Sequence, residues 1–169
     1  MAVLEVDYWA MKERIATILK HDTTNLYNAS ASDKTKFRKI EAGAPDMNKP
    51  IQAPMPKIYI TNDDRFDMMK SKGVVQSRNQ KITEHIMMFK IIAVCEGKDG
   101  PDAEEKIDDF TKLILEKIKN HNDLSKPTDN TDPLADWSFP DSVDILNREL
   151  IGDKMAGRVI KLRVKTTTG

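Results

Sequence analysis

The chain has 169 residues, of which 39% are hydrophobic and 32% charged, with 27 basic and 27 acidic side chains. This length suits a single domain with its own core. The zero net charge argues against a protein whose main role is binding nucleic acid, since phosphate-binding proteins carry a basic surplus. The first residues include no basic segment followed by an apolar one, and no stretch approaches the roughly 20 apolar residues of a membrane span. We therefore expect a cytosolic protein without a membrane anchor.

The first predicted element is a helix from Tyr8 to about Lys20. Asp7 stands in the N-cap position, and apolar side chains recur at helical spacing while the opposite side is charged. The apolar positions are Tyr8, Met11, Ile15, Ile18 and Leu19. We expect this helix to pack on a sheet.

Two short strands are predicted next, with a proline-containing stretch between them. Residues 37–40 suit a sheet edge, because the prolines that follow cannot donate to a central ladder. Residues 57–61 form the second strand. Residues 62–80 are polar, and we interpret them as a long loop or as the tip of a β-hairpin. Loops of this length are usually functional or disordered.

The strongest predicted strand runs from Lys81 to Glu96. Its C-terminal half is apolar on both faces, which is typical of a central strand in a sheet covered on both sides. A small domain covers both faces with two helical layers or with a neighbouring subunit. We expect like copies to cover what the two helices of the chain do not.

A second helix is predicted from Ala103 to about Lys119, after a turn at residues 97–101. Asp102 and Glu105 have the spacing of a capping box. Acidic side chains near the start and basic ones near the end suit the helix dipole.

Residues 120–141 are predicted as a second polar loop, which Trp137 and Phe139 anchor to the domain surface. Two strands then close the chain. Residues 143–150 form the first, although a helix would also fit there, and residues 158–166 form the second, where apolar and basic side chains alternate.

One α+β domain over residues 1–169 accounts for this order of elements. It has a mostly antiparallel sheet with helices packed on it, and long polar loops at about 62–80 and 120–141. No internal repeat interrupts it.

No pattern of side chains indicates a catalytic, metal or cofactor site. The acidic pairs at 63–64 and 108–109 lack the staged spacing of an oxygen-ligand site, and we interpret both as solvated. Cys95 lies in an apolar run, where a buried structural thiol is expected. The three histidines have no partner at metal-ligand spacing: His21, His85 and His121. We predict a protein that is not an enzyme and holds no cofactor or metal, while a hydrolase whose site forms only in space stays open.

A basic stripe occupies the outward positions of the last strand: Lys161, Arg163 and Lys165. These side chains are either an ordinary solvent face or a row that follows nucleic-acid phosphates. The second alternative makes the protein a nucleic-acid-associated accessory domain.

The sequence resembles the tail terminator (tail completion) and neck protein families of long-tailed double-stranded DNA viruses. The resemblance rests on the order of elements along nearly the whole chain. It includes the early helix, the segments FRKIEAGAP (37–45) and PMPKIYI (54–60), the long strand through Glu96, the second helix and the closing hairpin that ends in VIKLRV (159–164).

The resemblance implies a virion structural protein of the tail or neck, assembled in the host cytoplasm as a homohexameric ring. Such a ring ends tail-tube growth and offers a face to the head–tail connector and neck proteins, while DNA only passes through its lumen. We expect the segment 62–80 to order on assembly and to contact the tube or the lumen, so that deleting residues 64–78 abolishes capping without loss of the fold. The candidate interface residues are Asp63, Asp64, Arg65, Phe66, Lys70, Lys72 and Arg78.

Overall fold

The computed structural model describes residues 5–21, 26–27, 37, 39–44, 57–75, 80–146 and 154–168, with only the backbone at 72–75, 80 and 81. Two helices and five strands occur in these ranges: α1 (Tyr8–Lys20), β1 (Lys39–Ala42), β2 (Lys57–Val75), β3 (Gln80–Glu96), α2 (Gly100–Asn120), β4 (Trp137–Ile145) and β5 (Met155–Thr168). The strands form one sheet in the order β1-β2-β3-β5-β4. Only the β1–β2 pair is parallel. The predicted α+β class with a mostly antiparallel sheet is confirmed.

Both helices pack on the same face of the sheet, which we call the helix face. Their apolar stripes share one buried cluster with the alternate β3 side chains, among them Phe89, Ile91 and Cys95. The opposite, outer face holds the remaining β3 side chains and the basic stripe of β5. The prediction of a buried Cys95 is confirmed.

α1 has the predicted bounds, and the carboxylate of its N-cap Asp7 accepts a hydrogen bond from the Ala10 backbone N–H. At the other end of the helix, the buried Lys117 ammonium donates to the His21 carbonyl at 2.7 Å. A cation there suits the negative end of the helix dipole.

α2 begins three residues before its predicted start. Its N-cap is Asp99, which accepts from the Asp102 N–H, while the Asp102 carboxylate accepts from the Lys98 N–H. Gly100 and Pro101 resemble a turn in sequence, but proline fits the first turn of a helix because its missing N–H has no helical partner there.

The interpretation of 62–80 as a loop is wrong for residues 62–75, which continue β2, whereas the alternative, the tip of a β-hairpin, is confirmed. They form a hairpin with β3, and only residues 76–79 between the two strands lie outside the described residues. Irregular register between Asn62 and Asp67, and again between Ser71 and Gly73, breaks the alternation of side chains along β2. A hydrophobic pattern therefore cannot reveal this strand.

The second predicted loop is confirmed for residues 121–136, but β4 begins at Trp137 and the aromatic residues 137 and 139 lie in that strand. Arg14 on α1 holds this loop by donating to the carbonyls of Leu124 and Asp132 and to the Asp132 carboxylate. Residues 147–150 of the predicted strand lie outside the described residues. β5 alternates as predicted and extends beyond both predicted ends.

The expectation that only a neighbouring subunit covers the second face of β3 is not supported. On the outer face, Val94 is fully buried and Met88 and Tyr59 are at most 9% exposed in the single chain. Val94 packs with Met155 of β5 and with the half-buried Leu146, and Met88 stands opposite Arg163 of β5. The chain therefore shelters much of this face itself.

Candidate assembly surface

The β2–β3 hairpin projects beyond the rest of the sheet. β5 pairs with β3 only from Thr83 onward, whereas β2 pairs with β3 as far as Gln80. On its other side, β2 pairs with β1 only over residues 57–60. Within the described part of the chain, no strand lies against β2 from residue 61 to 75, so among these residues the backbone groups of this edge have no strand partner.

Aromatic packing fixes the base of this hairpin. The Phe66 ring, in the irregular part of β2, lies 4.7 Å from the Tyr8 ring of α1 and 5.5 Å from the Phe89 ring of β3, measured between centroids. The hairpin is thus attached to the core at the point where it leaves the body of the sheet.

A buried polar chain joins the same elements. The Tyr8 hydroxyl donates to Asp67 Oδ2 at 2.5 Å, and His85 Nδ1 lies 2.9 Å from the same oxygen. His85 Nε2 lies 3.1 Å from the Thr168 hydroxyl. With Nδ1 donating to the carboxylate, Nε2 accepts from threonine. The hydrogen bond to Asp67, followed by burial, raises the pKa of Tyr8 to about 12.

The carboxylate–imidazole–hydroxyl order of Asp67, His85 and Thr168 matches the connectivity of a catalytic triad. All three residues are largely buried, and an apolar groove lies elsewhere, between α2 and β4. The chain of hydrogen bonds instead ties β2, β3, β5 and α1 together. No sequence pattern indicates it, because Asp67 and His85 are 18 positions apart and their contact depends on the irregular register of β2.

The described members of the predicted interface set differ in exposure. Asp64, Arg65 and Lys70 are exposed on β2, while Phe66 is half-buried in the aromatic contact. Lys72 lies on β2 at a position where only the backbone is described, and Arg78 lies outside the described residues.

Asp63, the remaining candidate, belongs to the outer face and is neither free nor solvated as predicted. Lys90 and Lys161 stand directly opposite each other on β3 and β5, and the Asp63 carboxylate lies 3.3 Å and 3.9 Å from their ammonium groups. Burial raises the pKa of Asp63, but the Asp64 backbone N–H and the two lysines outweigh it, so the pKa lies below its ordinary value. Asp63 therefore relieves the repulsion between two cations that face each other across strands.

Two exposed methionines on the hairpin were missed by the sequence reasoning. Met68 is 43% exposed and Met69 is 67% exposed. Met68 stands opposite Ile86 and so lies on the outer face, whereas Met69 stands opposite His85 on the helix face. The available signal was two adjacent apolar residues within a polar segment. They point to opposite faces of β2, and both are exposed because the hairpin extends beyond the rest of the sheet.

The basic stripe is paired with carboxylates. Lys161 lies near Asp63 and Asp144, Arg163 contacts Asp141 at 3.0 Å, and Lys165 contacts Glu84 at 3.2 Å. All three cations lie on the outer face as predicted. Each has an anionic neighbour within the chain, which lowers the positive potential that would attract phosphates.

A groove of about 580 Å³ lies on the helix face at the far edge of the sheet, between α2 and β4. We call it the α2/β4 groove; its walls include Leu115 and Lys119 of α2 and Ser138, Phe139 and Val143 of β4. Phe139 is 43% exposed and Val143 is 42% exposed. The lining is mostly apolar in area, and its charged members are Lys119 and Asp141.

Among the described residues, no cluster of three or more histidine, cysteine or acidic side chains could hold a metal ion. Neither helix in the described part of the chain is both long and apolar enough to cross a membrane. Acidic residues 108 and 109 lie on α2, where Asp108 accepts from Arg158 of β5 at 3.0 Å, so this half of the pair is not merely solvated.

No model of a known protein family matches the sequence, and no curated protein sequence is significantly similar to it.

Proposed function

We propose that the protein is a virion structural subunit of the tail terminator or neck type, which assembles into a homohexameric ring that caps the tail tube and joins it to the head connector. In this proposal it is not an enzyme. The order of elements in the sequence supports the assignment to this class of virion protein. The β2–β3 hairpin supports a role in assembly.

The open edge of β2 is the observation that carries the proposal. An exposed edge strand is a site for pairing with another chain, and soluble monomers usually protect such edges with prolines, bulges, charges or covering segments. Among the described residues β2 has no strand partner on this side over more than ten positions, and although it carries an irregular register and exposed charges it also presents Met68 and Met69. A subunit that binds neighbours through this edge would account for two exposed apolar side chains on an otherwise polar strand.

No observation favours the nucleic-acid-associated alternative. Its candidate residues, the basic stripe, have carboxylate neighbours on the same face. Neutralising phosphates with them would require breaking these pairs first, and the chain has no net positive charge to attract DNA at a distance.

The test measures growth of purified tail tubes by electron microscopy, with and without the protein. We expect the protein to stop tube growth and to appear at tube ends as a ring, with a mass of six subunits by light scattering. Met69→Lys adds a charge to the open edge and should weaken capping. Thr17→Lys, at an exposed position of α1, is the matched control and should cap normally.

Tubes that keep growing in the presence of a folded protein would reject the proposal. Equal loss of capping by the two lysine variants would show that the hairpin has no special part in it. Deleting residues 64–78 is unsuitable as a test, because residues 64–75 belong to the sheet and the deletion would remove a strand.

A further inference from the structure

We infer that His121 is an acid-sensitive switch at the junction of the two helices. The neutral imidazole holds the ends of α1 and α2 and the start of the 121–136 loop together, and protonation opens this junction. The switch lies in a different part of the molecule from the β2–β3 hairpin and does not rest on the proposed function.

Two helix ends and a loop meet at His121. His21 and His121 are the C-cap residues of α1 and α2. The side chain of Lys117 is 2% exposed, and its ammonium donates to the His21 carbonyl, which ties the end of α2 to the end of α1. The His121 carbonyl in turn accepts from the Leu124 backbone N–H at 3.0 Å. A change at His121 therefore reaches both helix ends and the loop.

One nitrogen of the His121 ring cannot take up a proton without loss. Nδ1 is buried and has no hydrogen-bond partner in the described part of the chain. A neutral imidazole carries its proton on one nitrogen, so Nε2 can hold it and leave Nδ1 bare. The imidazolium has an N–H on both nitrogens, and the N–H on Nδ1 would be buried without an acceptor. The geometry of the ring therefore disfavours its charged form.

The groups that face His121 come from three elements. Lys117 lies one turn earlier on α2, His21 lies at the end of α1, and Asp123 lies in the loop. Arg14 of α1 reaches the same loop, but its guanidinium is hydrogen-bonded to loop carbonyls and to a loop carboxylate. The negative end of the α2 dipole favours a cation, and the buried Lys117 already supplies one.

The pKa of His121 reflects this balance. Burial lowers it most, Lys117 and then His21 lower it further, and Asp123 raises it, so that the pKa lies below the ordinary value of 6.5. Because the pKa is lower in the folded chain than in the unfolded one, the stabilisation by neutral His121 is complete above about pH 6.5. It is lost as the pH falls through the pKa of the folded protein.

Protonation acts first on the backbone bonds of the cap. His121 and Lys117 then carry like charges at i,i+4 spacing, which destabilises a helix. The ring escapes both this repulsion and its buried position by turning toward water. That movement breaks the bonds from the His121 N–H to the Ile118 carbonyl and from the Leu124 N–H to the His121 carbonyl. Acid therefore opens the helix end and the start of the loop locally, while the core stays folded.

Amide hydrogen exchange of the wild-type protein at pH 7.5 and pH 5.0 tests the switch, with rates converted to protection factors to remove the intrinsic effect of pH. We expect the amides of His121 and Leu124 to lose protection about fivefold or more at pH 5.0. The amide of Ile91, in the core of β3, should keep its protection. Unchanged protection at His121 and Leu124 would overturn the inference.

Two glutamine variants identify the titrating group. His121→Gln has no ionisable ring and should show the same protection at both pH values. His21→Gln, the matched control, should keep the acid response. A response that persists in His121→Gln, or disappears in His21→Gln, assigns the switch to another group and refutes the role of His121.

An NMR titration of the wild-type histidines gives a second measurement that needs no variant. The midpoint for the loss of protection should coincide with the ionisation of His121 and lie below pH 6.5. A midpoint that instead follows His21 or His85 contradicts the inference.

Discussion

Replacing Tyr8 by phenylalanine removes the hydroxyl that donates to Asp67 and leaves the ring against Phe66. A hydrogen bond to a charged group contributes about 1.5–3 kcal/mol to stability. Because Tyr8 is only half-buried, solvent screening reduces this to about 1–2 kcal/mol. For a domain of this size the substitution should lower the thermal midpoint by roughly 2–8 °C.

The effect of the Tyr8→Phe substitution should depend on pH. The pKa of Tyr8 is about 12 in the folded protein, against 10.0 for an ordinary tyrosine. The stabilisation by the tyrosine is therefore complete below pH 10, and it is lost as the pH rises toward 12, because the unfolded chain ionises first. By pH 11 the difference between wild type and variant should shrink by up to about 1 kcal/mol.

Urea unfolding of both proteins from pH 7 to 11 measures this difference, with Tyr27→Phe as a matched loss of a tyrosine hydroxyl. Tyr27 is half-buried, and its ring lies near the Lys20 ammonium. We expect its substitution to change stability by less than about 0.5 kcal/mol. A Tyr8 variant as stable as this control at pH 7, or a difference that does not change with pH, would refute the role assigned to the Tyr8–Asp67 bond.

Three further substitutions or reactions test the packing. Burial raises the pKa of Cys95 to about 12. A thiol reagent at pH 8 should therefore leave the native protein unmodified and label one thiol per chain in urea. Rapid labelling of the native protein would contradict this. Gly97→Ala places a Cβ 2.4 Å from the Ala103 nitrogen and should lower the free energy of unfolding by about 1–3 kcal/mol in urea titrations. Arg14→Ala removes three hydrogen bonds to the 121–136 loop and should speed amide exchange there while β3 stays protected.

The helices and the last strand could be predicted because their signals are local. α1 has an N-cap aspartate directly before a helical apolar repeat, and β5 alternates strictly, so neighbouring residues alone determine both assignments. α2 was placed three residues too late because Asp99 and Asp102 both fit the N-cap position. The side-chain contacts decide between them, since only Asp99 accepts from a first-turn N–H of the helix.

β2 could not be predicted beyond residue 61 because its stability as a strand comes from β3. Asn62 pairs with Phe89 and Asp67 pairs with Met87, so four residues of β2, 63 to 66, face the single residue Met88 of β3. This irregularity erases the period-two pattern, and polar residues dominate because the hairpin lies beyond the core. The Asp67–His85 contact depends on the same shift, so it was equally inaccessible to sequence reasoning.

The position of the exposed apolar groups, more than their amount, supports assembly. The outer face would need a partner if its apolar residues were exposed, but Val94 and Met88 are buried within the single chain, and Val94 packs with Met155 and Leu146. Large exposed apolar side chains remain at the two edges of the sheet, including Met69 at one edge and Ile145 at the other. Repeating the subunit in one direction would cover both edges together, and such a heterologous contact generates a ring when its rotation closes and an open filament when it does not.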